Sequence, residues 1–231
     1  MKNIFTFYIL LLLGFFLNAQ NLKSPDNNLD LNFSIDEKGR PFYSLNFHDK
    51  PVILNSGLGF MLKDNVEWMK IDTLDMMNNF KILNVTFDSV DEYWNPVWGE
   101  ESEIRNNYNE MFVELQQIES ERKVNIRFRL FDDSLGFRYE FPLQEKLGSF
   151  IIIDEKTEFA MAGDHTAMWI PGDYDTQEYN YTTSKLSEIE QKSIEFKEEN
   201  VSMYRFSNWA VQTALMMKSQ NGLYILSLIH I

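Results

Sequence analysis

The tightest constraint on what this chain can fold into is a two-residue period. Val124, Ile126, Phe128 and Leu130 alternate with Asn125, Arg127 and Arg129. After Asp132-Asp133-Ser134-Leu135-Gly136 the alternation resumes as Phe137, Tyr139 and Phe141 against Arg138 and Glu140. Successive strand side chains point to opposite faces, so each run predicts a strand with one apolar and one wet face. The short loop between them predicts a hairpin, because antiparallel neighbours need only a few connecting residues. Weaker runs of the same kind predict strands over 29–35, 41–47, 80–87, 150–153 and 210–217. Turns are expected at Lys38-Gly39, Asn55-Ser56-Gly57 and Asn221-Gly222. The best helical stretch, 184–199, has Glu and Lys pairs but no apolar stripe, and reads as a charged surface segment of one or two turns. Together these features predict an all-β, antiparallel sandwich in one domain, with at most short helical turns.

The N-terminus stands apart from this pattern. Lys2 precedes an apolar run over 4–17, and Asn18-Ala19-Gln20 follows. That layout predicts a secretory signal peptide over residues 1–19, cleaved after Ala19. The run is short of the roughly 20 apolar residues a membrane span needs, so the mature chain, 20–231, is expected to be exported to the periplasm and free of membrane. The absence of cysteine excludes disulfides, thiolate metal sites and thiol nucleophiles in this chain, and core packing must hold it together. A formal net charge of −14, spread without an acidic tail, disfavours nucleic acid and anionic membranes as partners. A neutral sugar or a cation meets no such penalty.

Several standard sites fail on inspection. No G-x-S-x-G elbow is present, and Gly57-Leu58-Gly59 lacks the third glycine of a dinucleotide loop. His48, His165 and His230 are scattered, with no partner at zinc-ligand spacing, and read as ordinary loop or strand histidines. Asp173 and Asp175 begin like a calcium loop, but the glycine at its sixth position and the glutamate at its twelfth are missing.

Two blocks rich in acids and aromatics survive. In the first, 91–110, Trp94 and Trp98 lie four apart around Asn95-Pro96, followed by Glu100, Glu101, Glu103 and Arg105. Two indoles beside a proline make either a sugar-stacking platform or a packed corner. The packed corner is the favoured expectation, with Arg105 pairing one of the glutamates. In the second, 157–189, Trp169-Ile170-Pro171-Gly172 leads to Asp173, Asp175 and Glu178 among three tyrosines. Flat apolar rings and carboxylates suit a sugar or a calcium ion. Equally, the acids can be turn residues bonded to nearby amides. Glycoside hydrolysis needs two carboxylates about 5 to 9.5 Å apart across the scissile bond, and nothing in the sequence marks out a general acid in an apolar pocket.

At these blocks the sequence resembles glycoside hydrolase family 97, exported calcium-dependent α-glucosidases and α-galactosidases. The matching runs are SPDNNL (24–29), WNPVWGEESEIRNNYNE (94–110), FRLFDDSLGFRYEFP (128–142), AGDHTAMWIPGDYDTQEY (162–179), LSEI (186–189) and AVQTALMMKSQNGLYI (210–225). The resemblance implies that 20–231 is the family's N-terminal β-super-sandwich, of galactose-mutarotase-like type. It also implies partners: an oligosaccharide substrate, and a (β/α)8 barrel carrying the catalytic acid and the base or nucleophile, two carboxylates with no counterpart in this sequence. By the same resemblance this domain lends a glutamate to an active-site Ca2+ ion. Glu178, in DYDTQEY, matches that position best, and Glu188, in LSEI, is second. After Ile225 the family continues in an Asn-x-His-Glu-Ala strand, whereas residues 226–231 read LSLIHI. The expectation is a domain incomplete at its C-terminal end, with residues 226–231 foreign, and inactive alone. Two other classes of function stay open on the residues: a free-standing carbohydrate-binding module stacking sugars on Trp94, Trp98 or Trp169, and a sandwich that only braces a barrel.

Overall fold

The computed structural model describes residues 19–64, 73–195 and 208–228. Residues 1–18 of the expected signal peptide, His230 and the end of the expected helix, 196–199, lie outside the described residues. The chain forms two compact units, one ending at Ala160 and the other beginning at Met161.

The first unit holds strands β1 (Gln20–Lys23), β2 (Leu29–Ile35), β3 (Pro41–Phe47), β4 (Lys50–Gly57), β5 (Phe60–Asp64), β6 (Thr73–Met76), β7 (Phe80–Trp94), β8 (Ile104–Gln117), β9 (Lys123–Leu130), β10 (Leu135–Glu140) and β11 (Phe150–Glu155). They make three sheets of order β1-β2-β3-β4, β10-β9-β8-β7 and β11-β5-β6, antiparallel throughout. Two-residue alternation sorts the side chains. Leu29, Leu31 and Phe33 of β2 and Val124, Ile126, Phe128 and Leu130 of β9 are buried, with polar residues between them turned outward. The two four-stranded sheets meet through aromatic rings, Phe33 with Phe128 at 5.7 Å, Tyr43 with Phe137 at 5.4 Å and Tyr43 with Phe128 at 6.4 Å between centroids. This is sandwich packing, and the expected β9–β10 hairpin closes where Phe131 N donates to Ser134 O at 2.8 Å.

The turn at Gly39 has a φ of 68°, and an added Cβ would collide with the backbone of Phe80, so only glycine fits. The turn expected at Asn55-Ser56-Gly57 does not form; those residues continue β4. Leu54 N donates to Ala160 O at 2.7 Å, Gly57 N donates to a carboxylate oxygen of Glu158 at 2.7 Å, and the fully buried Ser56 hydroxyl accepts from Ala160 N at 2.9 Å. Pairing with 158–160 satisfies the backbone in an extended form and overrides the local turn preference.

The second unit holds β12 (Thr166–Trp169), β13 (Thr182–Lys185), a 3-10 turn (Leu186–Glu188), α1 (Ile189–Glu195), β14 (Leu215–Lys218) and β15 (Tyr224–Ser227). Its sheet has the order β13-β12-β14-β15. Ala167, Trp169, Ile189 and Met217 form the core, with Met161, Leu186, Val211, Leu215 and Ile225 packed around it. The strand expected over 210–217 is shortened to β14, because Val211 is drawn into an isolated bridge with Pro171. The expected short helical segment begins later than 184: Ser184 and Lys185 belong to β13, and within the described residues α1 makes about two turns that bury only Ile189 and Ser193.

Candidate functional site

The acidic and aromatic loop of the second unit connects β12 to β13. At its start Trp169 is 1% exposed and its indole Nε1 donates to Ser184 Oγ at 2.9 Å. Buried this way, Trp169 is a core anchor, which corrects the expectation that it offers a face to sugar. Its ring needs both apolar contact and a partner for its N–H, and β13 supplies the partner. Next, Gly172 N donates to Ala210 O at 2.8 Å, and a side chain at 172 would place its Cβ 2.9 Å from that of Ala210.

Asp173 then organises the loop. Its Oδ1 accepts from Asp175 N at 2.8 Å and Thr176 N at 3.3 Å, and its Oδ2 accepts from the Tyr179 hydroxyl at 2.6 Å. The Asp173 carbonyl accepts from Gln212 Nε2 at 2.7 Å. Asp173 is therefore a turn acid with both oxygens engaged. Glu178 follows, with its N–H donating to Thr176 Oγ1 at 3.1 Å and its side chain exposed. Among the described residues its carboxylate makes no hydrogen bond or ion pair.

Glu188 stands in a different position. It lies in the 3-10 turn after β13, where its Oε2 accepts from Lys185 N at 3.0 Å in a capping box. Asp164, which has no signature in the sequence, holds the same turn through Ser187 N at 3.0 Å and Ser187 Oγ at 2.9 Å. The Ser187 backbone amide is the main cause of its carboxyl lying below the usual range. His165 is buried, and neither ring nitrogen has a hydrogen-bond partner among the described residues. No group of three or more His, Asp or Glu side chains among the described residues is placed to hold a metal ion. Glu178 can contribute one hard oxygen ligand to a calcium ion, but the six to eight oxygens that calcium takes must come largely from elsewhere.

The first-unit block lies on the β7–β8 hairpin. Trp94 is 49% exposed and Trp98 is 89% exposed, so the packed corner does not form. Both indoles sit towards the end of a two-stranded arm, where none of the described residues folds back far enough to bury them. Arg105 pairs with Asp91, not with Glu100, Glu101 or Glu103, through Nε–Oδ1 at 2.7 Å and Nη2–Oδ2 at 2.8 Å. The β7–β8 register brings Asn107 opposite Asp91 and Arg105 opposite Tyr93, placing the arginine within reach across the ladder. Its hydrogen bonds hold the Asp91 carboxyl below the usual range.

The fold is that of an antiparallel β-sandwich domain, and comparison with known proteins assigns its class. The profile of the glycosyl-hydrolase 97 N-terminal domain matches residues 22–229. The chain belongs to glycoside hydrolase family 97, as its N-terminal domain. A retaining α-galactosidase of Bacteroides thetaiotaomicron is 25% identical over 187 residues, covering 76% of this chain and 25% of that protein. Family 97 enzymes from Pseudoalteromonas sp. strain K8, solved with acarbose and with panose, are 31% identical, with TM-scores of 0.71 and 0.70 over 89% of this chain and 27% of theirs. A β-arabinopyranosidase, 19% identical with a TM-score of 0.68, shares the fold. The chain thus spans about a quarter of the length of the relatives it matches.

Proposed function

We propose that this domain serves an exported α-glycosidase that hydrolyses α-glucosidic or α-galactosidic bonds of oligosaccharides. In this reading Glu178 supplies a carboxylate to an active-site calcium ion whose other ligands come from a catalytic barrel. The β12–β13 loop leaves the Glu178 side chain exposed, and a calcium ion held there would supply Lewis-acid orientation and polarisation of the sugar. The observation that carries the reading is the contrast among the acids of this segment. Asp173 spends both oxygens on the loop itself and Glu188 caps its own turn after β13, whereas Asp175 and Glu178 are exposed with carboxylates uncommitted among the described residues, and of these two Glu178 stands at the position that resembles the family's calcium ligand. Likeness to an α-galactosidase and to enzymes solved with acarbose and panose supports α-linked substrates.

The test is an assay of the protein expressed from its genomic locus, on p-nitrophenyl α-glucoside and α-galactoside, with and without EDTA. Hydrolysis of one of them is expected, abolished by EDTA, restored by calcium, and at least tenfold lower in Glu178→Gln. Edman sequencing of the secreted product is expected to begin at Gln20. Activity indifferent to EDTA would remove the calcium assignment. A product that hydrolyses neither glycoside would leave a carbohydrate-binding module.

A further inference from the structure

The β7–β8 hairpin outruns its own sheet. β9 pairs with β8 only between Asn109 and Gln116, whereas the β7–β8 ladder continues to Trp94 opposite Ile104. The pairs from Val90↔Tyr108 outward therefore form a two-stranded arm. Directly opposed residues of an antiparallel ladder share a face. Phe87, opposite the fully buried Met111, lies on the core-facing side, and that side runs on through Ser89/Asn109, Asp91/Asn107 and Tyr93/Arg105.

Where this strip leaves the core it borders an open cleft of about 520 Å³, lined by Phe87, Asp88, Ser89 and Asn109 of the hairpin and by Asn21 and Lys23 of β1. That volume lies within the range of small-molecule sites. The cleft wall is tied down, with Asn109 Nδ2 donating to Lys23 O at 2.8 Å. Phe87 is 53% exposed and Tyr93 is 61% exposed. Six positions along one strand set these two rings about 20 Å apart, at about 3.3 Å per residue. Between them stand amides and a hydroxyl; Arg105 is bidentate on Asp91 and Lys23 lies 4.0 Å from Asp30, while the exposed Asp88 carboxylate at the cleft has no cationic partner among the described residues. An aromatic ring at each end and hydrogen-bonding groups between are complementary to rings bearing hydroxyls, and the Asp88 carboxylate accepts from hydroxyls while it repels an anionic ligand.

We propose that this strip binds an extended neutral oligosaccharide, with Phe87 and Tyr93 stacking on sugar rings at its two ends and Ser89, Asn107 and Asn109 bonding hydroxyls between them. The site shares no residue with the calcium assignment, and it is read by equilibrium binding, so a failed glycosidase assay leaves it standing.

The experiment is a calorimetric titration of the full chain with maltoheptaose and with cellohexaose, on the wild type, Phe87→Ala, Tyr93→Ala and Glu178→Gln. Saturable binding of at least one sugar is expected, weakened fivefold or more by each alanine and unchanged by Glu178→Gln or EDTA. Tyr93→Ala decides the matter if Phe87→Ala does not fold, because its exposed ring supports no core and its unfolding temperature should equal that of the wild type. Absence of saturable binding to both sugars overturns the proposal. So does binding that Tyr93→Ala retains in full, which would mean that the sugar sits elsewhere. A strip used against protein would instead show Tyr93→Ala altering thermal stability with sugar binding unaffected, and that result also overturns it.

Discussion

Arg127 joins the outer face of the β7–β10 sheet, and Arg127→Met tests how much that joint stabilises the fold. The guanidinium bonds Glu140 at 2.7 and 3.4 Å, donates to Glu110, and lies 4.3 Å from the centroid of Phe112. Methionine keeps the stem over Phe112 and removes the charge. Hydrogen bonds to charged groups contribute about 1.5–3 kcal/mol each when buried. Here the side chains of Arg127, Glu110 and Glu140 are 23%, 11% and 28% exposed, so solvent screens part of that. Each glutamate also keeps a second arginine, Arg129 for Glu110 and Arg138 for Glu140. A net loss of about 2 kcal/mol is expected at neutral pH, which for a chain of this size is a fall of roughly 4–8 °C in Tm. The pH dependence is specific. The Arg127 hydrogen bonds are the main cause of the Glu140 carboxyl lying below its usual range. A depressed carboxyl contributes stability that is fully present above the unfolded value, near 4.3, and lost as pH falls through the lower folded value. The gap between wild type and Arg127→Met should therefore be widest at pH 7 and shrink below about pH 4. Urea unfolding of both proteins at pH 7 and pH 3.5 measures it. A gap under about 0.5 kcal/mol at pH 7, or one that does not narrow on acidification, would refute the reasoning.

Three further outcomes are expected. Trp169→Phe should destabilise the chain by about 1–3 kcal/mol in urea unfolding, since it removes buried area and leaves Ser184 Oγ without the indole donor. Trp98→Ala should change the unfolding midpoint by less than about 0.5 kcal/mol, because Trp98 is 89% exposed; a larger loss would mean that the indole is packed after all. Gly39→Ala should cost more than about 1 kcal/mol, because the new Cβ meets the Phe80 backbone at a φ of 68°, and an unchanged Tm would contradict that geometry.

Alternation along 124–130 and 137–141 was readable directly, because which face a strand residue occupies depends only on its own strand. The same holds for the hairpin between them and for the position of the turn at Gly39, whose φ of 68° is a local requirement, whereas the Phe80 backbone that also excludes a Cβ there is brought in by the tertiary fold. The acids of the second block were legible as residue types suited to calcium, and no further. Asp173, Glu178 and Glu188 look alike in the sequence, and they differ in the hydrogen bonds that neighbouring amides, Tyr179 and Lys185 make to them. Trp94, Trp98 and Trp169 were likewise equivalent candidates for stacking.

From the residues alone came an antiparallel β architecture, the absence of thiol chemistry and the family motifs, each a property of a short stretch or of composition. Which tryptophan is buried, which carboxylate stays uncommitted and whether 55–57 turns or extends were settled across distance. Glu158 lies 101 positions from the Gly57 amide it accepts from, and Ser184 lies 15 from the indole it satisfies. Burial and hydrogen-bond occupancy belong to pairs of segments, so no window along one strand contains them.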